Sequence, residues 1–260
     1  MDISGYLERI GFTDGGSAAE NLRRLHKGHI THIPFENVDV LNGKALSLKT
    51  EALYDKMVTR RRGGYCFEMN GLFRDMLREM GFEAYSVLAR ISRGEAGFGG
   101  YNHRMTVAYA DGKRYACDVG YGGDCFVEPI LLEPGLEQTT HGETYRMVEG
   151  NRQVQYCIQI KRNGTFVDLL GFNDTPTIDE DFVIANFYTN FSPDSGFRKM
   201  MMLNLFTETG RYSMFNYLLT IRDGEKTEKR TVTHEELPEV MRRYFGIDAV
   251  PEQPFLSFGK

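Results

Sequence analysis

Cysteine is scarce in this chain of 260 residues: Cys66, Cys117, Cys125 and Cys157 are all it has, and none sits in a Cys-x-x-Cys pair. Disulfide staples and a structural zinc site are therefore not expected. Basic charge is not in excess either. Thirty-one lysines and arginines face 36 aspartates and glutamates, a net charge of −5, so neither nucleic acid nor an anionic membrane finds a broad positive field. No apolar run approaches the roughly 20 residues that span a bilayer. The N-terminal Met-Asp-Ile-Ser-Gly-Tyr-Leu-Glu-Arg lacks the basic-then-apolar order of a signal peptide. Fixed-period repeats, low-complexity tracts and long linkers are missing too. These absences point to a cytoplasmic globular protein with no membrane or nucleic-acid partner, long enough for one large domain or two to three small ones.

Apolar periodicity divides the chain into three textures. Residues 2–11 read as a short amphipathic helix, and Ser17-Ala18-Ala19-Glu20 has the capping-box form that opens a second helix. His26, His29 and His32 lie three apart on it. Steps of three rotate around a helix, Pro34 interrupts the end and no carboxylate pattern accompanies them, so no metal is expected. A third helix is predicted over residues 50–60 and a fourth from Cys66 to near Gly81, with Met69, Leu72, Phe73, Met76, Leu77 and Met80 at spacings of three and four. Strand-like runs follow at 84–91, on both sides of Asp111-Gly112, and at 144–148, 153–161 and 166–170. Turns are expected at Gly150-Asn151 and Asn163-Gly164. This middle part predicts an antiparallel barrel. The last third is mixed: a helix at 179–188, strands at 200–206, 212–221 and 226–232, and a final helix from His234 through Tyr244. The expected fold class is α+β, with a helical domain over 1–84, a β-barrel domain over 85–191 and a smaller α/β lid domain over 192–260.

The stretch Arg61-Arg62-Gly63-Gly64-Tyr65-Cys66-Phe67-Glu68 places Cys66 at or just inside a helix N-terminus. Unpaired backbone N–H groups and the helix dipole favour negative charge there, and Arg61 and Arg62 add positive charge nearby in sequence. Cys66 therefore reads either as a cysteine nucleophile or as a buried structural cysteine.

The Asp111-Gly112 hairpin supplies a geometric test. With those two residues at the turn, Ala110 pairs with Lys113, Met105 sits opposite Asp118, and His103 opposite Gly120. His103 and Asp118 then share a face as diagonal neighbours, their Cα atoms about 7–8 Å apart. A histidine beside an aspartate gives a base and its orienting carboxylate, and with Cys66 the three roles of a triad. The pair reads equally as a half-buried polar contact unrelated to Cys66.

Arg-Arg-Gly-Gly-Tyr-Cys-Phe-Glu, Ile-Pro-Phe-Glu-Asn-Val from Ile33, His103, Asp118-Val119-Gly120-Tyr121-Gly122 and the later Ser192-Pro193-Asp194-Ser195-Gly196-Phe197 together resemble the arylamine N-acetyltransferases. The resemblance covers the whole chain. It implies a papain-like Cys66–His103–Asp118 triad on the helical module and barrel, with Arg62 paired to Glu36 as structural support. It also implies that Phe35 and Phe197 line the acceptor pocket, and that Gly120, Tyr121, Gly122 and Gly123 help bind CoA. Val38, Tyr121 and Arg104 depart from the family pattern, and Tyr121 puts acceptor preference in question. The implied reaction is ping-pong transfer from acetyl-CoA, through acetyl-Cys66, to an arylamine or hydrazine, with no metal. The protein is expected to be a monomer or homodimer. Two alternatives remain: another papain-like thiol enzyme (a protease or transglutaminase-like protein), and an inactive binding homologue.

Overall fold

Local capping chemistry sets the helical start of the chain, which a computed structural model describes over residues 2–254. Asp2 accepts from Ser4 N–H and caps α1 (Ile3–Arg9). Ser17 accepts from Glu20 N–H at 3.1 Å and opens α2 (Ala18–His32), as its capping-box sequence predicts. Two residues of extended chain, β1 (Phe35–Glu36), and a single turn, α3 (Val38–Leu41), follow. Next come α4 (Thr50–Tyr54), continued by a wider turn over Asp55–Thr59, and α5 (Cys66–Glu79). The apolar faces of α1, α2, α4 and α5 meet in one core around Tyr6, Leu25, Phe67 and Leu72.

The middle of the chain is an eight-stranded antiparallel sheet. Its strands are β2 (Ala84–Ile91), β3 (His103–Ala110), β4 (Lys113–Cys117), β5 (Ile130–Leu131), β6 (Gln138–Thr140), β7 (Glu143–Asn151), β8 (Val154–Arg162) and β9 (Thr165–Phe172). Their order is β5-β4-β3-β2-β9-β8-β7-β6. The sheet curls into a near-closed barrel, and a side chain bridges its seam. The Gln138 amide accepts from Leu131 N–H at 2.8 Å and donates to Leu131 O at 2.9 Å, standing in for a backbone partner. Val87, Met105, Phe126, Ile158 and Leu170 fill the interior. The β3–β4 hairpin turns at Asp111-Gly112, both with positive φ, and pairs Ala110 with Lys113 through to Thr106 with Cys117. One expected turn moves: Gly150-Asn151 stays in β7, and the chain reverses two residues later at Arg152-Gln153. Gly150 is tolerated in the strand because its missing Cβ would strike Val154 O.

Helix α6 (Asp179–Phe191) leads into a five-stranded sheet of order β1-β10-β11-β12-β13, with β10 (Met202–Phe206), β11 (Gly210–Phe215), β12 (Leu218–Asp223) and β13 (Lys226–Thr231). Its edge strand is β1, which pairs Phe35 with Asn204, so the start of the chain contributes to the last sheet. Two expectations are corrected here. The strand predicted over 212–221 is a hairpin, because Asn216 takes φ +51° and reverses the chain. The helix predicted from His234 through Tyr244 is shorter: α7 (Leu237–Val240) and one wide turn over Met241–Phe245, stopped by Gly246 at φ +66°. Pro238 leaves the first turn without a donor, and the few apolar contacts of Leu237, Val240, Met241 and Phe245 hold only this short piece.

Candidate active site

Helix α5 begins at the cysteine. Tyr65 is the N-cap residue, and its backbone N–H donates to Glu68 Oε2 at 3.1 Å, closing the return half of a capping box. Glu68 is itself buried and paired. Lys56 Nζ lies 2.8 Å from Glu68 and 2.9 Å from Asp39, while Arg62 lies 2.6 Å from Glu36 and 3.2 Å from Asp39. Burial works against the Lys56 charge, but Glu68, Glu36 and Asp39 outweigh it and hold its pKa above the ordinary lysine value. This cluster ties α3, the end of α4 and the loop before Cys66 into one unit. The Arg62–Glu36 contact is the one the family resemblance implied; Lys56 and Asp39 were not anticipated. Arg62 is thus committed to carboxylates, and the positive partner of Cys66 comes from elsewhere.

That partner is His103, at the start of β3. Its Nε2 lies 2.6 Å from Asp118 Oδ2, and Cys66 is near enough to add to the raising of its pKa. Ladder pairing ends at Thr106 and Cys117, one residue short of the extrapolated Met105–Asp118 pair, and Asp118 leaves the strand still facing His103. His103 and Asp118 are both buried. Burial alone would lower the His103 pKa, but the charge and hydrogen bond of Asp118, helped by Cys66, push it up to about 10.

Three groups fix Asp118, and the sequence reading gave none of them that role: Asn70 and His26 were not singled out for it, and Gly120 was expected to bind CoA. The second Asp118 oxygen accepts from Asn70 Nδ2 at 2.8 Å and from Gly120 N–H at 3.1 Å. Asn70 sits one helical turn after Cys66, and its carbonyl accepts from Val119 N–H at 3.0 Å. His26 takes the Asp118 backbone N–H on Nε2 at 3.0 Å, and its Nδ1 donates to Val127 O at 2.8 Å. That pattern requires the neutral ring, and burial pushes the His26 pKa down to about 4 against its hydrogen bonds and the Asp118 charge. The available signal was a polar Asn70 inside an apolar helical face and three histidines on one helix; their partners lie 48 to 101 residues away. We expect His26→Leu to destabilise the fold by about 3 kcal/mol, since it strands a buried donor and a buried acceptor. Urea unfolding above pH 7 checks this, and a loss below about 1 kcal/mol contradicts it. In the wild type, stability from His26 is complete above pH 6.5. It falls as pH drops toward 4, because the unfolded chain takes the proton first.

Two glycines allow the close approach. A Cβ on Gly120 would stand 2.9 Å from Cys66 Cα and 3.0 Å from Asn70 Nδ2; one on Gly122 would enter the Phe35 ring at 2.6 Å. Tyr121 sets its ring edge-on to His103, centroids 5.8 Å apart. Gly120 N–H is spent on Asp118 and is not free for a ligand.

The thiol abuts a cleft of about 720 Å³. Asn102, whose carbonyl lies 3.9 Å from Cys66 Sγ, lines it together with Tyr101, Ile184, Tyr188, Phe197 and Met200. Asn37 holds the Phe197 segment by donating to Phe197 O and Met200 O at 2.8 and 2.7 Å. Phe35 is buried behind it, 6.2 Å from Phe197 by ring centroid. The departing residue Arg104 has a structural reason. Its guanidinium is buried, reaches Asp179 at 3.2 Å and Ser86 Oγ at 2.9 Å, and fits because Gly71 has no side chain. Arg74 grips the same Asp179 bidentately. Helix α6, one wall of the cleft, is thereby fastened to both the cysteine helix and the histidine strand.

Known proteins match this chain over nearly its full length. A family model described as N-acetyltransferase matches residues 19–253. An arylamine N-acetyltransferase of Escherichia coli K12 is 33% identical, with 94% of this chain and 88% of the relative covered. The chain belongs to the arylamine N-acetyltransferase family. Among solved members, the Salmonella typhimurium enzyme superposes with a TM-score of 0.89 at 28% identity, covering 98% of this chain and 94% of that one. A Mycobacterium marinum member, solved in complex with CoA, superposes at 0.87 with 29% identity, covering 95% and 93%. The α+β fold and its near-closed barrel are those of the family's solved members. Among the described residues, no helix is long and apolar enough to cross a membrane.

Proposed function

We propose that this protein transfers an acetyl group from acetyl-CoA to the nitrogen of arylamines or hydrazines through an acetyl-Cys66 intermediate. The observation that carries the reading is the meeting of Cys66, at a helix N-terminus, with a buried His103–Asp118 pair beside a largely apolar cleft. The arrangement is papain-like: the nucleophile comes from a helix, the base and carboxylate from a barrel. The Cys66 sulfur attacks the thioester carbonyl, a new C–S bond forms, and CoA leaves as a thiol carrying the proton that His103 supplies. The amine then attacks acetyl-Cys66, His103 takes its proton, and the Cys66 sulfur is released. Asp118 keeps the imidazole oriented and stabilises its cation. The Cys66 backbone N–H, first in its helix and without an intrahelical acceptor, is the proposed oxyanion donor. A thioester is already activated, so these groups suffice for the chemistry.

Phe197 and Phe35 behind it are proposed to receive the acceptor ring. Tyr121, Gly122 and Gly123 are proposed to border the CoA chain, with Gly120 holding Asp118 instead. A panel of aromatic amines and hydrazines with acetyl-CoA, followed by CoA release, tests the activity. Turnover is expected for aromatic amines; release no faster than hydrolysis across the whole panel overturns the reading.

A pH experiment tests the pairing. With its pKa raised to about 10, His103 stays cationic beside Cys66 across neutral pH. Its contribution to stability is complete below pH 6.5 and is lost as pH rises through about 10. We expect iodoacetamide to alkylate Cys66 at pH 6 nearly as fast as at pH 8. His103→Ala should remove the pH 6 reaction. An ordinary thiol dependence in the wild type, with rate climbing tenfold per unit, contradicts the pairing.

A further inference from the structure

We propose that the arginine-lined groove where α1 meets the wide turn over Met241–Phe245 is a binding site for a phosphoryl dianion. The groove has a volume of about 510 Å³ and is lined by Arg9, His32, Arg61, Arg242 and Arg243. At Arg61 and Gly246 it runs on into a second hollow that holds Arg60 and Arg62. Most of the charges around it are already paired. Arg60 lies 2.7 Å from Asp55, Arg62 is bound to Glu36, and Arg242 lies 2.8 Å from Asp248. Glu208, the acidic side chain of the groove, is held by Lys27 at 3.0 Å. Among the described residues, Arg9, Arg61 and Arg243 form no ion pair with a carboxylate.

Two observations make this more than a basic surface. Arg9 is 8% exposed, its Nε donates to Met57 O at 3.1 Å, and the residue lines the groove. A buried guanidinium without a carboxylate is costly, and Arg61 adds a second positive charge beside it. Independently, Arg61 holds φ at +51°, a left-handed conformation that side chains other than glycine rarely adopt. Its neighbours Arg60 and Arg62 turn to carboxylates, and Arg61 alone turns into the groove. The left-handed position ends the turn over Asp55–Thr59, with Arg62 N–H closing on Lys56 O at 3.0 Å, and it carries the Arg61 charge next to Arg9, where an anion would offset the like-charge contact. A tetrahedral oxyanion pairs two guanidinium forks at once, which a single carboxylate does less well. Among the described residues, the hydrogen-bond partners of Cys66, His103 and Asp118 are not residues of the groove, so the site stands independently of the acetyl-transfer reading.

Calorimetric titration of the whole protein with inorganic phosphate, at constant ionic strength, tests the site. Wild type is expected to bind saturably, and Arg61→Gly and Arg243→Gln should each weaken binding about tenfold. Without phosphate, Arg61→Gly should melt cooperatively at or above the wild-type temperature, because glycine relieves the backbone while the like-charge contact disappears. Absent saturable binding to wild type, or equal affinity in both variants, the proposal is overturned. Melting of Arg61→Gly well below wild type also overturns it, since Arg61 then serves the fold. Competition identifies the source of the phosphoryl group. Displacement of phosphate by CoA but not by dephospho-CoA assigns the groove to the 3′-phosphate of that substrate; displacement by neither assigns it to a separate phosphorylated ligand.

Discussion

Asp118→Asn should lower turnover by roughly three to four orders of magnitude while leaving Cys66 and His103 in place. The reason lies in the donor count. Oδ2 of Asp118 faces His103, and Oδ1 accepts from both Asn70 and Gly120. All three partners are donors, so the site needs an acceptor in every direction. An asparagine must turn its NH2 either toward His103, which then has to present a bare nitrogen, or toward Asn70 and Gly120, where two donors already point. Either choice removes the carboxylate that holds the imidazole as a cation. Acceptor turnover and the pH 6 alkylation rate should fall together, because both depend on the charged ring. A variant that turns over within tenfold of wild type shows that Asp118 is merely a buried structural carboxylate.

Gly120→Ala is expected to cost about a hundredfold in kcat/KM, the penalty of moving a catalytic pair by something near an ångström. Its new Cβ would stand 2.9 Å from the Cys66 Cα and 3.0 Å from the Asn70 amide. Backbone lies on one side of the contact, so the cysteine helix and the aspartate loop must separate. The affected distances are the catalytic ones: Cys66 to His103, and Asn70 to Asp118. The fold should survive, because the separation is confined to one margin of a helical core that also runs through Tyr6, Leu25, Leu53 and Met76. Steady-state kinetics beside a melting curve would show the division, with rate lost far out of proportion to stability. Gly122→Ala offers a contrast, because its Cβ would press on the Phe35 ring and not on the triad helix. Equal losses from the two substitutions would contradict this account of Gly120.

The parts of the site that depend on local geometry were legible in the residues. Asp111-Gly112 fixed the hairpin, the hairpin fixed the register, and alternation put His103 and Asp118 on one face. Gly63-Gly64 and the apolar spacing after Cys66 marked the helix start. The supporting groups were hidden because each is chosen by a partner far along the chain. The spacing of Asn70 and His26 on their helices does not name a partner; they are explained only by Asp118 and Val127. Phe35–Glu36 is too short to read as a strand, and only its pairing with β10 makes it one. The 212–221 run looks continuous because Met214, Phe215, Tyr217, Leu218 and Leu219 mask a turn that rests on Asn216 alone. Arg104 looked like a departure in the sequence and is, in the structure, the fastening between the histidine strand and α6.

The central claim is that Cys66 itself carries the acyl group. Intact-mass and peptide spectrometry of the protein mixed with acetyl-CoA, with no acceptor present, tests it most directly. One acetyl group on Cys66 is the predicted result, discharged when an aromatic amine is added. An unmodified Cys66, or acetylation confined to other residues while acceptor turnover continues, would contradict it.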